Sequence, residues 1–244
     1  MRKVQGIVAG VIFLRLPNFW LLLSLVLLVI LYPILKDLPE GRAATGAFDV
    51  VILILALRAS HAGFGETWIG YALAIPAVGL QIFAAFDDNR DLYAASLIAG
   101  AIFHTFVVVN LLRYMLADSV MTLDELFAAA GLYVLAAFVF AYIYMLIEHW
   151  NPGAFVINAA NNIGGGGAEW WDMLYFSFTC LTSVGFGEIT PADDQARSVV
   201  MIEQIAGVLY LALVISRLVT LQSRRVERRR ERLQTAPQQE ENGE

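Results

Sequence analysis

Five consecutive residues, Ser183-Val184-Gly185-Phe186-Gly187, have the composition of a backbone able to face a dehydrated cation. Glycine at alternate positions frees the chain to take conformations closed to L-residues. Successive carbonyls can then point one way, into a shared axis, and such a column of oxygens can replace the water around an ion. Ser183 adds a hydroxyl at the inner end. Thr182 and Glu188 flank the run, and Glu188 places an acidic ring at the outer mouth, where it concentrates cations. Phe186 can wedge outward, against Trp171 or its neighbours, and hold the width.

Residues of this kind need a rigid element to aim them. The preceding stretch, Glu169-Trp170-Trp171-Asp172 through Leu181, is apolar and aromatic but too short to cross a bilayer. A helix of about twelve residues covers about 18 Å, against a hydrocarbon core of about 30 Å. Glu169 and Asp172 lie where carboxylates favour a helix N-terminus. The two tryptophans can anchor that end at the outer interface. The predicted half-length helix enters from outside and aims its carbonyl end, with its partial negative charge, at the membrane centre. Ahead of it, residues 151–167 read as loop. Their Gly164-Gly165-Gly166-Gly167 lacks the Lys-Ser/Thr and helix of a phosphate-binding loop and reads as a mobile extracellular turret.

The rest of the chain must hold this unit in a bilayer. Of its 244 residues 59% are hydrophobic and only 16% charged, and the apolar residues come in long blocks. A span needs about 20 mostly apolar residues. Six stretches qualify, at residues 17–35, 47–59, 67–86, 92–112, 126–147 and 196–221, the second being the shortest and the third containing Pro76. Thr122 and Glu125 have capping-box spacing at the start of the fifth. Met1-Arg2-Lys3 before an apolar run resembles a signal peptide. The length of the apolar core beyond Arg15 favours a retained span instead. The fold class is therefore an all-α membrane protein: six transmembrane helices, a re-entrant pore helix and a filter.

Orientation follows the positive charges. With the N-terminus inside, Arg2, Lys3, Arg15, Arg58, Arg113 and the Arg-rich tail are cytoplasmic, as are both termini. The tail, from Gln222 through Arg232, reads as a helical extension that stops before Thr235-Ala236-Pro237 and is followed by disordered polar residues. Its arginines serve as a positive-inside stop and could meet anionic lipid. The single cysteine, Cys180, excludes an intrachain disulfide framework and reads as a small packing residue. Three regions result: a four-helix transmembrane domain at 1–120, a pore domain at 121–221 and a cytoplasmic tail at 222–244. Nothing points to an enzyme, an organic cofactor or a nucleic-acid partner, and the location expected is the cell membrane.

Ser183-Val184-Gly185-Phe186-Gly187 resembles the Thr-Val-Gly-Tyr-Gly signature of the potassium-channel superfamily. Leu174-Tyr175-Phe176-Ser177-Phe178-Thr179 and Ile189-Thr190-Pro191 are similar to the pore region around it. The likeness covers residues 132–221; the first four spans match only in number and length. The whole resembles a bacterial-type six-span channel. It implies K+ as the transported ion, bound at Ser183, Val184, Gly185 and Phe186, and a homotetramer, since one chain supplies one strand of the filter. Ser replaces Thr at the inner site, and Phe replaces Tyr as in the ether-à-go-go-related branch. That second change removes a hydroxyl that could tie the filter to the pore helix.

Six spans before such a pore suggest a voltage sensor, which carries Arg or Lys every third residue. Residues 92–112 contain neither; His104 is the one His, Asp or Glu side chain there, and with Asn110 it is expected to hydrogen-bond between helices. Steep voltage dependence is not expected. In the inner helix, Gly207 has the spacing from Gly187 of the hinge glycine in related channels, although close packing would explain it equally well. Helical spacing assigns Val208, Leu211, Ile215 and Val219 to the pore lining, where bulky apolar groups can gate by dewetting. Glu203, one turn before Gly207, needs a partner behind or below the filter. The competing readings are a non-selective cation channel, and a transporter or non-conducting membrane partner.

Overall fold

The computed structural model describes residues 16–36, 50–52, 54–55, 64–87, 89–117, 122–158 and 168–241. The GGGG turret, and most of the span expected at 47–59, lie outside the described residues. Six helices and two short strands are described: α1 (Pro17–Lys36), α2 (Phe64–Phe86), α3 (Arg90–Ala117), α4 (Leu123–Trp150), β1 (Phe155–Ile157), α5 (Trp170–Leu181), β2 (Ile189–Pro191) and α6 (Asp194–Glu241). Within α2, α3, α4 and α6 are stretches long and apolar enough to cross a membrane, and α1 holds a shorter apolar stretch, Pro17–Leu31. Residues 50–52 and 54–55 are helical too.

α4 is the centre of the molecule. It packs against α1, α3, α5 and α6, and its small residues explain how. Ala128, Ala129, Gly131, Ala137 and Ala141 are buried, leaving room for neighbouring backbones, while Leu135, Phe138 and Tyr144 fill the spaces between them. On the α3 side the approach is close at Gly100: a Cβ there would lie 2.7 Å from the Tyr142 ring. The start of α4 is fixed as its sequence predicts, with Thr122 Oγ1 accepting from the Glu125 amide at 3.2 Å. Asp124 receives the backbone amide (3.1 Å) and side-chain amide (2.6 Å) of Asn18, so α4 caps the N-terminus of α1. At the other end, Arg90 donates to the His149 carbonyl at 2.6 Å, joining the start of α3 to the end of α4.

Two expectations change. The segment after α4 is not all loop. Phe155–Ile157 pairs antiparallel with Ile189–Pro191, in the register Phe155↔Pro191, Val156↔Thr190 and Ile157↔Ile189. Aromatic and β-branched side chains suit a half-buried strand, and the partner strand follows residues 182–187 in the chain. The Glu148 carboxylate accepts from the amides of Gly153 (2.8 Å) and Phe155 (3.0 Å), turning the chain into β1. The tail also departs from expectation: α6 runs through Pro237 to Glu241 instead of stopping before Thr235. One proline removes a single backbone donor, and the surrounding Arg, Gln, Glu and Ala have high helix propensity.

Candidate functional site

α5 is the half-length helix expected from the sequence, 12 residues from Trp170 to Leu181. At its start the Asp172 carboxylate accepts from the Glu169 amide at 2.9 Å, as an acidic first turn should. Its core-facing side, Met173, Leu174, Phe176, Ser177 and Cys180, is buried against the molecule. Cys180 is a free, buried packing residue, as expected.

A helix end leaves its last four carbonyls without intrahelical partners. Here each has one. Phe178 O accepts from the Thr182 amide (3.1 Å) and Thr182 Oγ1 (2.6 Å). Thr179 O accepts from the amides of Val184 (2.9 Å) and Gly185 (3.1 Å), and Cys180 O from that of Ser183 (3.0 Å). Leu181 O accepts from the Tyr133 hydroxyl of α4 at 2.9 Å. The residues expected to form the filter thus begin as the cap of the helix that aims them.

Beyond the cap the backbone alternates. Ser183 (φ 58°), Gly185 (φ 55°) and Gly187 (φ 80°) occupy the left-handed region, and Val184 and Phe186 do not. Glycine takes that region freely; Ser183 is the one non-glycine to do so among the described residues. Residues 182–187 are all exposed in the single chain. Among the described residues, none of their carbonyls accepts a hydrogen bond. The sequence therefore places a run of irregular backbone, with unused acceptors, between two apolar helices. Lipid does not tolerate such backbone unless protein buries it or a water-filled path adjoins it.

The outer end is tied on two sides. Glu188 O accepts from the Asn158 amide at 2.8 Å, beside the β1–β2 pair. The Glu188 carboxylate accepts from the Tyr175 hydroxyl at 2.7 Å. Phe186, 67% exposed, stacks parallel to the Tyr175 ring with centroids 6.4 Å apart. The neighbour it meets is therefore one turn along α5 from Trp171, which packs on Trp170 instead. Tyr175 supplies from the helix side a hydroxyl tie that Phe186 cannot supply from the filter side.

α6 closes the unit. Gly207 lies against the end of α5: a Cβ there would overlap the Leu181 carbonyl oxygen and lie 3.1 Å from its carbon. Close approach thus accounts for the glycine. Val208, Leu211, Ile215 and Val219 are exposed in the single chain, as are Met201, Ile202, Ile205, Leu209 and Leu213. Glu203 is fully buried and meets the hydroxyls of Tyr144 and Ser177. Tyr210 donates to the Ala129 carbonyl of α4 at 2.6 Å, and its ring stacks on that of Tyr133.

Sequence reasoning missed Tyr133, Tyr144 and Tyr210, and gave Tyr175 and Ser177 no role beyond the likeness to a pore region. The available signal was general: a hydroxyl inside an apolar helix must find an acceptor in protein. His104 and Asn110 behave differently from expectation, since each bonds a carbonyl of its own helix. His104 Nδ1 lies 2.9 Å from Gly100 O, and Asn110 Nδ2 donates to Phe106 O at 2.9 Å. Reaching four residues back gives each side chain one bond without a partner helix, and His104 Nε2 stays buried with no hydrogen-bond partner among the described residues. What His104 gives to α4 is ring contact, with Phe138 and Tyr142.

A half-length helix, a capped run of open carbonyls and a long apolar helix behind them follow one another in the chain. Residues 128–223 match the family described as Ion channel, from within α4 through α5 and residues 182–187 into α6. That match supports an ion channel, in keeping with the potassium-channel resemblance of the same segment; α1, α2 and α3 lie outside it. A comparison with curated proteins finds no match to this chain.

Proposed function

We propose that the chain is one subunit of a potassium-selective channel, with the pore on the axis of a homotetramer. The observation that carries this reading is the alternation of left-handed backbone at Ser183, Gly185 and Gly187, directly above the capped end of α5. Alternation of this kind lets successive carbonyls share one direction, and K+ passes as cargo by exchanging its water for those oxygens. One chain provides one side of such a path. Three further copies supply the remaining sides and cover both the filter and the apolar face of α6. A closed cyclic arrangement uses the same two surfaces at every interface.

Val208, Leu211, Ile215 and Val219 then face the axis below the filter and form an apolar constriction. Glu188 rims the outer mouth. The span at 92–112 offers no Arg or Lys to the membrane field, so conduction is passive and not steeply voltage-gated. The site lies in the inner or plasma membrane, with both termini in the cytoplasm. The arginines of the tail lie near anionic headgroups.

The test is K+ flux from liposomes reconstituted with the full chain. The parent protein releases K+, and Gly185→Ala, which forces an L-residue to φ 55°, abolishes release while the protein still inserts and assembles. Equal flux from the two proteins would overturn the assignment of the filter.

A further inference from the structure

Glu203 is the buried group that pore geometry leaves without a task. It lies inside α6, fully buried, between one hydroxyl from each of two other helices. Its Oε1 contacts Ser177 Oγ of α5, and its Oε2 contacts the Tyr144 hydroxyl of α4. Ser177 Oγ also lies 2.9 Å from the Ala137 carbonyl oxygen of α4. Ser177 and Tyr144 are fully buried as well.

The protons in this cluster can be counted. It has three contacts to fill: Ser177 to Ala137 O, Ser177 to Oε1, and Tyr144 to Oε2. A carbonyl only accepts, and each hydroxyl carries one hydrogen. The Ser177 hydrogen therefore goes to Ala137 O, and the Tyr144 hydrogen to Oε2. The contact left over, Ser177 Oγ with Oε1, joins two oxygens and has no hydrogen unless the carboxyl brings its own. With a proton on Oε1, the carboxyl donates to Ser177, Ser177 donates to Ala137 O, and Tyr144 donates to Oε2. Every contact is then a hydrogen bond. With the carboxyl ionised, only two hydrogens remain for three contacts, so one pair of oxygens faces lone pair to lone pair: Ser177 Oγ with Oε1, or Ser177 Oγ with the Ala137 oxygen, which keeps its own bond within α4.

The surrounding charges agree. The titratable groups that face Glu203 are Tyr144 and Tyr133 from α4 and Cys180 from α5. None of them is a cation, so nothing in the cluster repays the burial of a carboxylate charge.

We propose that Glu203 is a neutral carboxylic acid and a positioning residue: a protonated strut that holds the pore helix against the outer and inner helices. Losing the proton to water leaves the Ser177 hydrogen to swing from Ala137 O to Oε1, and the α5–α4 bond breaks. The sequence then has a proton-dependent link one helix behind the filter. Its effect on current rests on the channel reading above; the protonation state does not.

Infrared spectroscopy of the full chain in lipid vesicles tests it. The parent at neutral pH should show a protonated-carboxyl C=O band that Glu203→Gln removes and that Tyr144→Phe shifts. Glu203→Gln keeps all three bonds, its amide donating to Ser177 and its carbonyl accepting from Tyr144. It should therefore conduct like the parent and lose the parent's decline in current at high pH. Glu203→Ala should lower the current, if it assembles. No carboxyl band at Glu203, or a Glu203→Gln protein as impaired as Glu203→Ala, would overturn the proposal. A parent protein that shows the band but passes no current would count against the channel reading and leave the protonated strut standing.

Discussion

In the first bundle, Ser24, Ser96, His104 and Asn110 each bond a carbonyl of their own helix, three or four residues back. In the pore half, Tyr133, Tyr144, Ser177 and Tyr210 each reach across to another element. Thr179, on Phe176 O, is an exception there. Links out of the first bundle do exist, such as Gln81 to the Tyr142 hydroxyl at 2.9 Å and Asn18 to Asp124. Back-bonding satisfies a polar atom without fixing its neighbour; cross-bonding fixes both. Among the described residues, the four back-bonded groups therefore do not tie one helix of the first bundle to another, and its cross-helix bonds, from Asn18, Gln81, Arg90 and Tyr114, go to α4. The bonds of the pore half tie α4, α5 and α6 to one another.

The largest test of this contrast compares two glycines. At Gly207 a Cβ meets the Leu181 carbonyl, which is backbone and already bonded to Tyr133. At Gly100 it meets the edge of the Tyr142 ring, a side chain instead of backbone. Overpacking of this sort costs about 1–3 kcal/mol where the neighbour cannot move. Gly207→Ala should reduce current by about tenfold or more at matched protein amount, and Gly100→Ala should change it far less. Equal effects would mean the pore half is no more rigid than the bundle.

A smaller difference separates hydroxyls from back-bonded groups. Tyr133→Phe leaves Leu181 O without its cross-helix donor, at a cost of about 0.5–1.5 kcal/mol. Asn110→Leu removes a bond within one helix and should cost less than Tyr133→Phe, since it frees no group on a neighbouring helix. Unfolding of the reconstituted protein, followed by tryptophan fluorescence in denaturant, would rank the two. The reverse order would contradict the contrast.

The parts of the site that were legible in sequence are the local ones. Residues 169–187 encode their own helix, its acidic start and the glycine alternation, and structure and sequence agree there. Long-range partners were not legible. Ile157 pairs with Ile189, and Glu203 meets Tyr144 and Ser177, through contacts that depend on how helices pack and not on spacing. Gly207 was undecided between bending and packing because both ask for the same missing side chain; only the position of Leu181 O distinguishes them. Pro237 gave a false stop, because a proline at the end of a solvated helix removes only one bond.

The most direct measurement is the reversal potential of the purified protein in planar bilayers, recorded during voltage ramps with K+ on one side and Na+ on the other. A potassium-selective pore without a voltage sensor gives a reversal potential far toward the K+ equilibrium value, and an open probability that varies little across the ramp. A reversal near zero would make the pore a non-selective cation path. Either that result, or no current from protein shown to be inserted and assembled, would contradict the central claim.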